Sequence, residues 1–208
     1  MRGGLGTLVI LLIVSRASAG IWDSIVGGIG SALGYNEEAP YTVVRTYDNF
    51  VEREYPARKW VCTSATGASR EEATSNSMFM KLFRYITGQN DRNEDIPMTV
   101  PVTTEYTHGN NRDNVYTMCF FIGDAHQANP PTPTEDSVFL QDRAAMTVYT
   151  RTVGGYMRSE SQWMDEAARL AGFVQEKGIS VSLTHMYWVG YDAPFKFWNR
   201  RNEVWFTS

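Results

Sequence analysis

Tyr55 to Gly67 reads YPARKWVCTSATG, and 87 positions later Asp142 to Gly154 reads DRAAMTVYTRTVG. At that offset Ala57, Val61, Thr63 and Gly67 fall on Ala144, Val148, Thr150 and Gly154. Both stretches are rich in β-branched residues and read as strands that end at a glycine. A repeat of this length inside a 208-residue chain points to two equivalent halves rather than two unrelated domains.

The segments after these two strands repeat as well. Ser69-Arg70-Glu71-Glu72 and Ser159-Glu160-Ser161-Gln162 are both capping-box patterns that open a helix. The first helix carries Phe79, Leu82, Phe83 and Ile86 and stops near Gly88. The second carries Trp163, Ala167, Leu170 and Val174 and stops near Gly178. Each stripe has the three-and-four rhythm of one buried face. Strand-like runs come next: Met98–Tyr106 and Val115–Ile122 in the first half, Ser180–Tyr191 and Asn202–Phe206 in the second. Each half thus reads β-α-β-β. The expected fold is α+β, with duplicated β-α-β-β units forming a curved antiparallel sheet or distorted barrel flanked by two helices. The halves span about 41–128 and 134–208, and Asn129-Pro130-Pro131-Thr132-Pro133 is the stiff linker between them.

The first 40 residues read differently. Arg2, the apolar run from Leu5 to Val14 and the small residues Ala17-Ser18-Ala19 make a secretory signal peptide over 1–19, so the protein is expected to be secreted and extracellular. Residues 20–40 form a glycine-rich amphipathic leader. Its apolar residues recur at helical spacing, but its polar positions lack the Lys and Arg of a membrane-surface helix. Without Arg2 and Arg16 the chain keeps 17 of its 19 basic residues against 23 acids. An acidic chain with no basic run is a poor nucleic-acid binder. Only two cysteines occur, Cys62 and Cys119, both in strand-like segments. They either pair, as an oxidising compartment allows, or stay as buried thiols.

Further motifs fall in one order along the chain: Met98-Thr99-Val100-Pro101-Val102-Thr103, then Asn129-Pro130-Pro131 with Val138-Phe139-Leu140-Gln141-Asp142-Arg143, then Gly155-Tyr156, then Gly190-Tyr191-Asp192-Ala193-Pro194 and Arg201-Asn202-Glu203-Val204-Trp205. Together they resemble the SOUL/heme-binding protein family from Tyr41 to Phe206, so residues 41–208 are taken as one domain of that type. The resemblance implies non-covalent binding of heme or a related porphyrin in a shallow apolar site beside the first helix. It implies a carrier, scavenger or buffer and not an enzyme. Two positions depart from the pattern. Some members carry a histidine, proposed as an iron ligand, where this chain has Glu54. Others carry a basic helix residue where this chain has Asn76.

Heme needs an apolar slot, cations for its propionates and, optionally, an axial ligand. Met78, Met80, Phe83 and Tyr85 on the first helix are the slot candidates, and Lys196 and Arg200 are the propionate candidates. Of three histidines, His108 and His126 lie in loop-like stretches. His185 alternates with Val181, Leu183, Tyr187 and Val189 on an apolar face, either as a core histidine or as the iron ligand. No C-x-x-C-H is present for covalent attachment. Two other classes compete with a monomeric tetrapyrrole binder. One is a protein-interaction module using the second helix. The other is a binder or hydrolase of a different flat hydrophobic molecule, with Glu54, Glu105 or Glu203 as base, although no G-x-S-x-G or H-E-x-x-H motif accompanies them.

Overall fold

The computed structural model describes residues 37–73, 75–109, 113–193 and 196–208. The expected signal peptide, the leader up to residue 36 and the side chain of Asn76 lie outside the described residues. In chain order the elements are β1 (Glu37–Glu38), β2 (Thr42–Thr46), β3 (Val51–Tyr55), β4 (Arg58–Gly67), α1 (Ser75–Ile86), β5 (Thr99–Val100), β6 (Val102–Thr107), β7 (Asn114–Phe121), α2 (Asp124–Gln127), β8 (Val138–Arg143), β9 (Met146–Val153), α3 (Glu160–Gln175), β10 (His185–Gly190) and β11 (Asn202–Thr207).

Nine strands form one antiparallel sheet in the order β2-β3-β9-β11-β10-β6-β7-β4-β8, while β1 pairs in parallel with β5. The order is nearly a palindrome of the two halves. β10 and β6 meet at the centre, and β11-β9 on one side mirrors β7-β4 on the other. The strand before each repeat is exchanged. β3 leads into β4 but pairs with β9, and β8 leads into β9 but pairs with β4. Each half therefore lends a strand to the other, which ties the halves into a single sheet.

Alternation gives the sheet two buried faces. On one, Met78, Leu82, Tyr85 and Ile86 of α1 pack with Val61, Met118, Phe120 and Ile122, and Trp163, Ala167, Leu170 and Val174 of α3 pack with Met186, Trp188, Val204 and Phe206. On the other lie Tyr55, Trp60, Cys62, Cys119, Phe121, Val148, Tyr187, Val189, Tyr191 and Trp205. No helix among the described residues covers this second face; the curl of the sheet closes it instead. Arg143 on the edge strand β8 shows how strong that curl is. Its guanidinium lies 5.3 Å from the Tyr187 ring of β10, four strands away. In a flat sheet that offset is about 19 Å.

Three local expectations change. The Ser69–Glu72 pattern makes its reciprocal bonds, Ser69 Oγ accepting from Glu72 N and Glu72 Oε2 from Ala68 N, but in a turn that precedes α1 rather than in the helix itself. Ser159 and Gln162 do form the capping box of α3. That turn is tied to the start of α3, because Arg70 N donates to Glu160 and Glu160 N donates to Glu71. The strand expected over Ser180–Tyr191 begins only at His185. Ser182 Oγ accepts from Thr184 N, and this local side-chain bond holds a turn instead of a ladder. Finally, the α1 stripe is rotated by about one residue. Phe79 and Phe83 are only partly buried, while Met78 and Tyr85 face the sheet.

Candidate functional site

Of the four α1 candidates, Met78 and Tyr85 lie in the core, and the Tyr85 hydroxyl donates to the Pro131 carbonyl of the linker. Met80 is 46% exposed. Phe83 is half-buried and stacks on Phe79 with centroids 6.1 Å apart. The outer face of α1 therefore offers a small apolar surface made of Met80, Phe83 and Phe79.

Lys196 and Arg200 sit in the connection between β10 and β11, and their charges hold that connection together. Lys196 Nζ lies 2.5 Å from Asp192 Oδ1, and Asp192 Oδ2 accepts from Arg201 N at 2.5 Å. Arg200 donates to the carbonyls of Ala193 and Lys196 at 2.8 and 2.6 Å and stacks 4.5 Å over the Tyr156 ring. An ammonium has three donors, so Lys196 can serve Asp192 and a second carboxylate together. Arg200 has already committed most of its fork to backbone.

The same connection displays two side chains that stand outside the set expected from sequence. Phe197 is 74% exposed and Trp198 57%, packed edge to face at 4.7 Å. The run Phe197-Trp198-Asn199-Arg200 does show aromatics next to a cation. Nothing local, however, says that these two rings face outward when most described aromatics are buried.

His185 lies on the inward-facing side of β10, with Tyr187 and Val189, as alternation indicates; Val181 and Leu183 belong to the turn before it. Its Nε2 is 2.7 Å from Glu105 Oε1 on β6. That contact raises the imidazole above its ordinary value and lowers the Glu105 carboxyl below its own. Nδ1 is the ring nitrogen left for another partner. Among the described residues, no group of three or more His, Cys, Asp or Glu side chains converges on a metal position.

The pair has a pH signature. The histidine contribution is fully present below 6.5 and is lost as pH rises through the raised folded value. The carboxylate contribution is present above 4.5 and is lost as pH falls through the lowered one. His185→Gln is therefore expected to flatten the decline in thermal stability above pH 6.5. A variant that keeps the wild-type slope would refute that assignment.

The remaining buried charge lies on the inward face. Glu203 is fully buried and accepts two bonds from Arg53, at 2.9 and 3.2 Å, and others from Arg201, Tyr191, Thr150 and Trp205. Burial alone would raise its carboxyl, but the charges and hydrogen bonds of Arg53 and Arg201 outweigh burial and hold it below the usual range. With its acceptors filled this way, Glu203 is built as a structural hub and not as a free base. Glu105 is likewise engaged, and Glu54 is exposed on β3.

A family model described as SOUL heme-binding protein matches residues 36–207. Heme-binding protein 1 of Xenopus tropicalis is 36% identical over 162 residues, covering 76% of this chain and 83% of that protein. Heme-binding protein 2 of Homo sapiens is 35% identical over 155 residues, covering 74% of this chain and 75% of that protein. Among solved structures, a hydrolase from Listeria innocua superposes with a TM-score of 0.54 at 11% identity, over 79% of this chain and 94% of that one. EcmrR in its DNA complex gives the same TM-score and identity over 92% of this chain and 68% of that one. At such identity the structural likeness is one of fold alone. The family match and the two heme-binding relatives carry more: this chain belongs to the SOUL heme-binding protein family.

Proposed function

We propose that this protein binds heme or a related porphyrin non-covalently and acts outside the cell as a carrier, scavenger or buffer. The carrying observation is the β10–β11 connection. It holds two exposed aromatic rings, Phe197 and Trp198, next to Lys196, an ammonium with donors to spare. A flat macrocycle with two carboxylates asks for that combination. The outer face of α1, with Met80 and Phe83, is the second apolar surface offered to the ring. The family membership supports the ligand class. The N-terminal signal pattern and the Cys62–Cys119 disulfide support the extracellular setting, because disulfides persist in oxidising compartments.

Titration of the purified protein with hemin and with protoporphyrin IX, followed by the Soret band and tryptophan quenching, tests this reading. Both ligands are expected to saturate at one site. Trp198→Ala should weaken binding about tenfold, the value of roughly 1.4 kcal/mol of aromatic contact. Lys196→Ala should weaken it about threefold, as befits a partly exposed ion pair. Met80→Asp should weaken it if the α1 surface takes part. Loss of hemin binding alone in His185→Ala would identify an iron ligand. Saturation by neither ligand would overturn the porphyrin reading.

The interaction-module alternative is less well supported, because Trp163, Ala167, Leu170 and Val174 of α3 are already buried against the sheet.

A further inference from the structure

Two buried arginines cross the inward face of the sheet, and only one of them meets a carboxylate. Arg53 reaches from β3 to Glu203 on β11 and is neutralised there. Arg143 reaches from β8 and is 7% exposed, yet no Asp or Glu among the described residues forms an ion pair with it. Its Nη2 donates to Thr103 Oγ1 at 3.1 Å and its Nε to Gln141 Oε1 at 3.3 Å, both neutral groups. Its guanidinium lies 4.3 Å from the Trp60 ring and 5.3 Å from the Tyr187 ring. Its Nη1 is buried and has no hydrogen-bond partner among the described residues.

That arrangement is costly for a protein to keep for stability alone. A buried charge is normally paired, and an unmade buried hydrogen bond costs about 1–3 kcal/mol. Glu105 faces the same region but is held by His185, and only its longer-range field reaches Arg143. Burial pushes the Arg143 guanidinium down from its ordinary value, with Tyr187 and Glu105 pulling the other way.

We infer that Arg143 anchors a carboxylate-bearing ligand on the inward face of the sheet, at a site separate from the surface proposed for the porphyrin. The free Nη1 supplies one charge-assisted donor, and the Thr103 hydroxyl lies beside the neighbouring nitrogen. Trp60 and Tyr187 supply apolar walls. One unpaired cation suits a monoanion; a phosphate dianion would bring a second charge with nothing to meet it. The ligand class is therefore a monocarboxylate with an aromatic or aliphatic body.

The test uses sodium benzoate, with benzamide as the uncharged molecule of the same shape. Calorimetry and tryptophan emission are read on the wild type and on Arg143→Met. Benzoate is expected to bind the wild type one to one and change the tryptophan emission. Benzamide should bind at least about tenfold more weakly, and Arg143→Met should lose the benzoate response. Arg143→Met should also melt at or above the wild-type temperature, because an apolar side chain replaces an unpaired buried charge. A lower melting temperature with no benzoate response in the wild type would mark Arg143 as purely structural and overturn the proposal. Equal binding of benzoate and benzamide would do the same. Hemin titration of Arg143→Met separates the two sites: unchanged hemin binding is expected, and its loss would overturn the separate site while leaving porphyrin binding itself intact.

Discussion

Glu203→Gln is expected to destabilise the protein by about 3 kcal/mol or more, read as a lower urea midpoint with an unchanged denaturant slope. The carboxylate is fully buried and accepts from donors on β3, β9, β11 and the β10–β11 connection. Removing its charge leaves Arg53, itself 7% exposed, without compensation in the interior. That uncompensated cation is the origin of the large effect. An apolar pair, Arg53→Leu with Glu203→Leu, should recover much of the loss, because replacing both partners removes two desolvation costs together. Recovery would separate the worth of the pair from the penalty of breaking it. Acid gives a second reading of the same bond. The folded carboxyl lies below its usual 4.5, so its contribution is present above that value and lost as pH falls through the lowered one. Glu203→Gln, which has already lost the charge, should show a shallower acid decline below pH 4.5 than the wild type.

The location of this bond explains which parts of the fold the sequence disclosed. The β4 and β9 segments repeat at 87 residues because equivalent strands need equivalent side chains, and the period is visible without a partner. The exchange of β3 and β8 between halves is a pairing choice between segments far apart in the chain, such as Val51 with Thr150 and Tyr55 with Met146. No local pattern carries that choice. Arg53 finds Glu203 only after the exchange has been made.

The site follows the same division. The α1 stripe is ambiguous in sequence because residues 78 and 79, and 82 and 83, are apolar neighbours, so two adjacent faces fit the helical period equally well. The sheet chooses the face with Met78, Leu82 and Tyr85 and leaves Met80 outside. Alternation places His185 on the inward face, yet its Glu105 partner arrives from a strand 80 residues earlier. Lys196 and Arg200 stand out by charge. That Asp192 and backbone carbonyls already hold them depends on the folded path of the connection. In sequence Arg143 is only part of a motif, and its lack of an ion-pair partner among the described residues is a property of the curled sheet.

Reduction of the Cys62–Cys119 disulfide, or its removal by the double change Cys62→Ala and Cys119→Ala, should cost about 3 kcal/mol and lower the melting temperature by about 10 °C. The sequence left open whether these cysteines pair. The register resolves it: β4 and β7 set Cys62 directly opposite Cys119, with Cα atoms 4.1 Å apart, and the sulfurs are bonded. The crosslink spans 57 residues. By chain entropy alone a loop of that length is worth about 4 kcal/mol, and measured values commonly fall at about 2–4 kcal/mol. The double alanine variant also removes two fully buried sulfurs, whereas reduction keeps them. Comparing the two therefore isolates the crosslink from the packing. A loss on reduction close to that of the double variant would mean that the closed loop dominates. A reduced protein as stable as the oxidised one would show that the bond contributes nothing at equilibrium, and the disulfide would then be weak support for placing the protein outside the cell.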